Sequence, residues 1–146
     1  MSGDAEPSYY FEDLLVGMEA SLTHTVYGDD LHQFARITGD ANPIHLDDDF
    51  AATTRFKRRI AHGMLSASYI SAVFGTKLPG PGCVYISQTL NFKAPVLIGD
   101  EVISTVRITD LIEPRKRAIF SCESTVGGKV VVEGEAVIMI PSRPAK

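Results

Sequence analysis

The sequence predicts an α+β fold in which an antiparallel β-sheet wraps a long central α-helix. Three observations carry this. Between Gly63 and Thr76 the chain has no charged residue, and a helix that is apolar or small on every side is buried on nearly every side. Four strand-like runs follow it, Cys83 to Phe92, Glu101 to Ile112, Arg117 to Val126 and Val130 to Ile140. Short connectors join them, and Gly127-Gly128 is a two-residue turn that closes a hairpin. Consecutive runs are therefore antiparallel neighbours.

The first eight or so residues are polar and acidic and read as a disordered N-terminus; residues 9–141 read as one domain and 142–146 as a tail. Tyr9-Tyr10-Phe11 brings aromatic weight that must be buried, and Leu15 to Met18 reads as a turn. Ser21 to Tyr27 alternates and is rich in Thr and Val, which predicts a strand. Gly28 breaks it, and Asp29 or Asp30 is a good N-cap for a short helix whose apolar face is Leu31, Phe34, Ala35 and Ile37. Thr38-Gly39 ends that helix. Asp40 to Asp49 is polar and turn-rich around Pro43, Phe50-Ala51-Ala52 begins another helical turn, and Arg55 to Arg59 is a basic connector. The uncharged helix from Gly63 is a core element at this length, since a membrane span needs about 20 apolar residues.

Composition excludes several classes. A length of 146 residues fits one domain, and 45% hydrophobic with 22% charged residues is ordinary for a soluble globular protein. The net charge of −4, with Lys and Arg scattered, argues against a nucleic-acid surface and against an acidic membrane. Nothing resembles a signal peptide, so the expected compartment is the cytoplasm. Cys83 and Cys122 read as reduced, buried thiols without metal or redox spacing. No nucleophile elbow, dinucleotide fingerprint or phosphate loop occurs, and no cofactor or metal is expected; the acidic run Asp47-Asp48-Asp49 beside His45 reads as a solvated helix start. His24 and His32 read as surface or strand residues.

The stretch Thr38-Gly39-Asp40-Ala41-Asn42-Pro43-Ile44-His45 carries the chemistry. A helix end leads into a rigid segment holding one carboxylate and one imidazole five residues apart. Gly39 can take the positive φ of a helix end, Pro43 biases Asn42 toward extended geometry, and Asn42 can bond the backbone within the turn. Asp40 and His45 could then reach one water. Adding water to a C=C conjugated to a carbonyl needs a base for the water proton and an acid for the α carbon, and such a pair supplies both. Charge developing on the carbonyl oxygen needs donors. His62-Gly63 opens the uncharged helix, where the Gly63 N–H is free, and His62 is a candidate for orienting the nearby loop.

This motif, with Ala51 six residues beyond His45, with His62-Gly63-Met64, and with Leu90-Asn91-Phe92-Lys93-Ala94-Pro95-Val96 and Ile98-Gly99-Asp100-Glu101, resembles the MaoC-like, (R)-specific enoyl-CoA hydratases over about Phe11 to Pro141. The resemblance implies a hot-dog fold and a homodimer with two sites whose sheets join edge to edge. It implies Asp40 and His45 as the catalytic pair, Gly63 as oxyanion donor, and an acyl-CoA substrate. Asn42 reads chiefly as loop architecture and secondarily as a substrate contact. Among Arg55, Lys57, Arg58 and Arg59, Arg58 is taken as the candidate for the coenzyme A phosphates. Ser71 and Phe74, three apart on the buried helix, are expected to share a face; if it lines the acyl tunnel, Phe74 limits the depth and short or medium chains are preferred.

Three other functions compete. The same chemistry on an acyl-carrier-protein thioester is not separated by the sequence, since the basic cluster suits either carrier. A hot-dog thioesterase needs a carboxylate on or near the central helix, and Gly63 to Thr76 offers none. A non-catalytic module would not need an intact Asp40 and His45.

Overall fold

The computed structural model describes residues 9–145; the disorder expected of residues 1–8 lies outside that range. In chain order the main elements are β1 (Glu19–Thr25), α1 (Gly28–Thr38), the short α2 (Pro43–Leu46) and α3 (Asp48–Ala52), the long α4 (Gly63–Thr76), β2 (Val84–Gln88), β3 (Asn91–Phe92), β4 (Glu101–Ile112), β5 (Arg117–Val126) and β6 (Lys129–Met139). The strands form one antiparallel sheet in the order β1-β4-β5-β6-β2, with β3 also on β6. The uncharged segment is α4, at the bounds its composition predicts.

Period-two alternation gives the sheet its inner face. Val102, Ser104, Val106 and Ile108 of β4 are buried, as are Ala118, Phe120, Cys122 and Ser124 of β5. Two serines in this core would be costly alone; Ser104 and Ser124 are register partners and bond each other at 2.8 Å. From α4 the core receives Ser66, Ala67, Tyr69, Ile70, Val73 and Phe74, with Phe74 edge-on to Phe120 at 4.8 Å between ring centres. The β5–β6 hairpin closes through Gly127 (φ 57°) and Gly128 (φ 82°), the double positive φ that a type I′ turn demands.

Four expectations need correction. The helix α4 is not covered all round: Met64 is 55% exposed, and Ser68 and Ser71 are exposed too. The sheet covers one side of α4 and leaves this apolar face open beside β2, where Val84, Tyr85 and Ile86 are also exposed. The run Cys83 to Phe92 is two strands, because the chain leaves the ladder at Thr89-Leu90. There the Thr89 carbonyl takes the space of a side chain at Gly134, and Gln88 Nε2 donates to that carbonyl at 2.8 Å. Helix α1 starts at Gly28 rather than after an aspartate N-cap; Asp30 caps it from inside, its Oδ2 accepting from Tyr27 N–H at 2.9 Å. Ile37, placed on the buried face by its spacing, is exposed near the helix end.

Candidate active site

The site is built where α1 ends and α4 begins. Gly39 caps α1 with φ 84°, its N–H bonding to Ala35 O at 2.8 Å. The chain then turns through Asp40, whose N–H donates to Thr38 Oγ1 at 3.1 Å and whose Oδ1 accepts from Asn42 N–H at 3.3 Å. Asn42 is the N-cap of α2, its Oδ1 accepting from Ile44 N–H at 3.1 Å, and Pro43 follows at the first helical position, which its missing N–H suits. His45 therefore sits on a helical turn rather than in the loop that the turn-rich composition predicts.

His45 is 8% exposed, and its Nδ1 lies 2.7 Å from Ile60 O. A carbonyl only accepts, so Nδ1 carries a proton, and in the neutral ring Nε2 is the nitrogen with the lone pair. His62 is 1% exposed, and by the same logic its Nε2–H donates to Asp40 O at 3.0 Å. The two imidazoles stack at 3.9 Å with 27° between planes. Burial holds the His62 pKa below the ordinary histidine value; the bond to the Asp40 carbonyl opposes this, and charge on His45 adds to the lowering. A carboxylate oxygen of Asp40 and ring nitrogens of His45 and His62 all lie within 4.8 Å of one another. A divalent cation could be spanned at that spacing, although one nitrogen of each ring is already committed to a carbonyl. A single water could equally contact both Asp40 and His45.

A cavity of about 290 Å³ opens beside His45, lined also by Gly63, Ser66, Phe92, Arg55 and Lys93 among others; Asp40 and His62 are not in its lining. Gly63 is the first residue of α4, so its N–H has no acceptor within the helix. The Phe92 ring edge lies 2.9 Å from where a Cβ on residue 63 would stand. A second cavity of about 370 Å³ runs along the open face of α4, between Met64, Ala67 and Ser71 and the β2 residues Tyr85, Ile86 and Gln88.

Residues 16–133 match the family model of the MaoC like domain. The chain belongs to that family. Over 98% of its length it is 53% identical to the (R)-specific enoyl-CoA hydratase of Rhodospirillum rubrum, 99% of which is covered. It is 54% identical to the 3-hydroxybutyryl-CoA dehydratase of Methylorubrum extorquens, over 92% of this chain and 85% of that one. Among solved structures, the unliganded R-hydratase of Pseudomonas aeruginosa superposes with a TM-score of 0.89 at 43% identity, covering 94% of this chain and 88% of that one. The MaoC-like chain has the hot-dog fold of these R-hydratases.

Within this MaoC-like chain the sequence-predicted residues separate into two groups. Asp40, His45 and Gly63 come together, and Asn42 stands between the first two as a capping residue. Arg58 does not line the cavity; its guanidinium donates to Ile98 O at 3.3 Å, and the arginine at the cavity is Arg55, beside Phe56. Ser71 and Phe74 do not share a face: Ser71 opens on the second cavity, while Phe74 is 1% exposed in the core. Three residues along a helix turn the side chain by about 60°, enough to cross the boundary between groove and core. Phe74 lies behind the groove residue Tyr85, edge-on to its ring at 5.4 Å between ring centres.

Sequence reasoning did not single out Ser66, Phe92, Lys93 or Arg59. Ser66 could have been found as the residue one turn beyond Gly63, on the same face. Arg59 reads as part of a charged connector, yet its largely buried guanidinium pairs with Asp48 at 2.9 Å and donates to His45 O at 3.3 Å. It clamps the turn that carries His45.

Proposed function

We propose that the chain is an (R)-specific enoyl-CoA hydratase, a hydro-lyase that reversibly adds water across the C2=C3 bond of a trans-2-enoyl-CoA. The observation that carries this is the placement of the Asp40 carboxylate and the His45 imidazole within 4.8 Å of each other, at the helix start that bears Gly63. The reaction class agrees with the names of both relatives above.

In this reading Asp40 and His45 hold one water. His45 Nε2, kept free by the bond from Nδ1 to Ile60 O, accepts its proton. The water oxygen bonds to C3, and a proton delivered by the pair bonds to C2, so one O–H breaks as C3–O and C2–H form. Negative charge on the thioester oxygen meets the Gly63 N–H. Arg55 and Lys93 at the cavity supply the positive charge for coenzyme A phosphates. A four-carbon acyl group, as in the name of the Methylorubrum relative, is the substrate we expect, since it needs room for only one methyl beyond C3. Among the described residues no helix is long and apolar enough to cross a membrane, and we place the reaction in the cytoplasm.

Loss of enoyl absorbance should be seen with trans-2-enoyl-CoAs, greatest for short chains, with an (R) product by chiral analysis. Inactivity at every chain length, or an (S) product, would sink the reading. Transfer of the same activity to acyl-carrier-protein thioesters with a higher kcat/KM would reassign the carrier.

A homodimer completes the proposal. Strand β2 is the last strand of the main path, and Val84, Tyr85 and Ile86 stand exposed beside Met64. Edge pairing through β2 would cover both the strand edge and the open face of α4. Sedimentation at micromolar concentration should return twice the mass of one chain; a monomer would refute it.

A further inference from the structure

We propose that His62 is the positioning residue of the acid–base pair: its imidazole ties the backbone of Asp40 to the first turn of α4 and backs the ring of His45. This rests on the hydratase reading above and adds a part to it. Asp40 is exposed and lies in a loop, where its bonds to Thr38 and Asn42 shape the turn locally but do not tie that turn to α4. His62 holds it with the 3.0 Å bond from Nε2–H to the Asp40 carbonyl. The same residue is the N-cap of α4, immediately before Gly63, so one side chain sets the distance between the oxyanion donor and the acid–base loop. Its ring face, 3.9 Å from that of His45, closes the side of the imidazole that would otherwise need packing from elsewhere.

A second observation separates this from plain core packing. Among the described residues, His62 Nδ1 is buried with no hydrogen-bond partner, and an orphaned buried acceptor costs stability. A leucine would fill comparable space without that cost. What a leucine cannot do is donate to Asp40 O. The bond to the Asp40 carbonyl holds the proton on Nε2, and burial favours the neutral ring, which keeps a second positive charge away from His45.

The test compares His62→Leu with His62→Gln, whose amide can still donate near the Nε2 position. His62→Leu should lower kcat by about 100-fold, the cost of misplacing a catalytic group by an ångström, with KM changed by less than about threefold. His62→Gln should regain at least about tenfold of the lost kcat. In the unaltered protein, ¹⁵N-histidine NMR should show His62 as the neutral Nε2–H tautomer at pH 7, a readout that stands even if His62→Leu does not fold. A His62→Leu enzyme with near-normal kcat, a His62→Gln enzyme as slow as His62→Leu, or an Nδ1–H tautomer would overturn the proposal while leaving the hydratase reading intact. Wild-type protein inactive on every enoyl-CoA would remove the hydratase reading, and this proposal with it.

Discussion

His45→Gln and Asp40→Asn should each cut turnover of a trans-2-enoyl-CoA by about 10³-fold, within the range that a positioned acid–base group contributes. Glutamine has no basic lone pair to take the water proton, and asparagine has no anionic oxygen to hold that water. Neither change should disturb the fold. Asparagine keeps an Oδ1 to accept from Asn42 N–H, as Asp40 does at 3.3 Å, and Gly39 and Thr38 still shape the turn. The surroundings of His45 are set by the backbone carbonyl of Ile60 and by the Arg59 clamp, which remain. The double variant should be scarcely slower than either single one, because groups that act on one water act as a unit. Initial rates from enoyl absorbance, with thermal melts as the control for folding, decide the matter. Either variant retaining activity within about tenfold of wild type would remove that residue from the acid–base step.

Gly134→Ala should destabilise the fold by more than about 3 kcal/mol, the upper end of ordinary overpacking. A Cβ at residue 134 would stand 1.8 Å from the Thr89 carbonyl oxygen and 2.7 Å from its carbon. These are backbone atoms, held by Thr89 N–H on Glu135 O at 2.8 Å and by Glu135 N–H on Thr89 Oγ1 at 2.9 Å, so they cannot swing aside as a side chain would. Relief must come from moving the β2–β3 junction. That junction leads directly to Phe92 and Lys93 at the cavity, so surviving protein should also show a raised KM. Gly75→Ala is the internal control. Among the described residues nothing lies within 4 Å of the added methyl near the end of α4, and alanine there should be neutral or stabilising by up to about 1 kcal/mol. Urea unfolding of both variants measures the contrast, and equal midpoints would refute the packing account.

The residues that are easiest to read are those whose physics is local. The uncharged run Gly63 to Thr76, the Gly127-Gly128 turn and the alternation in Glu101 to Ile112 each specify an element without help from distant contacts, and α4, the β5–β6 hairpin and β4 stand where they predict. Gly39, Asn42 and Pro43 are equally local: a helix end, a cap and a first helical position. They bring Asp40 and His45 near each other within one short stretch. The break at Thr89-Leu90 is invisible along the chain, because its cause is Gly134 on a neighbouring strand, 45 residues away.

The class of fold, the central helix and the motif that carries the chemistry are therefore legible in the order of residues alone. Four other features are not: which arginine faces the cavity, that Phe74 belongs to the core, that Arg59 clamps the His45 turn, and which atom His62, legible only as a candidate for orienting the loop, reaches there. Propensity and capping act over a few residues and can be read along the chain. Which side of a helix meets the sheet, and which carbonyl a buried imidazole reaches, depends on elements that approach only after the sheet has wrapped around α4.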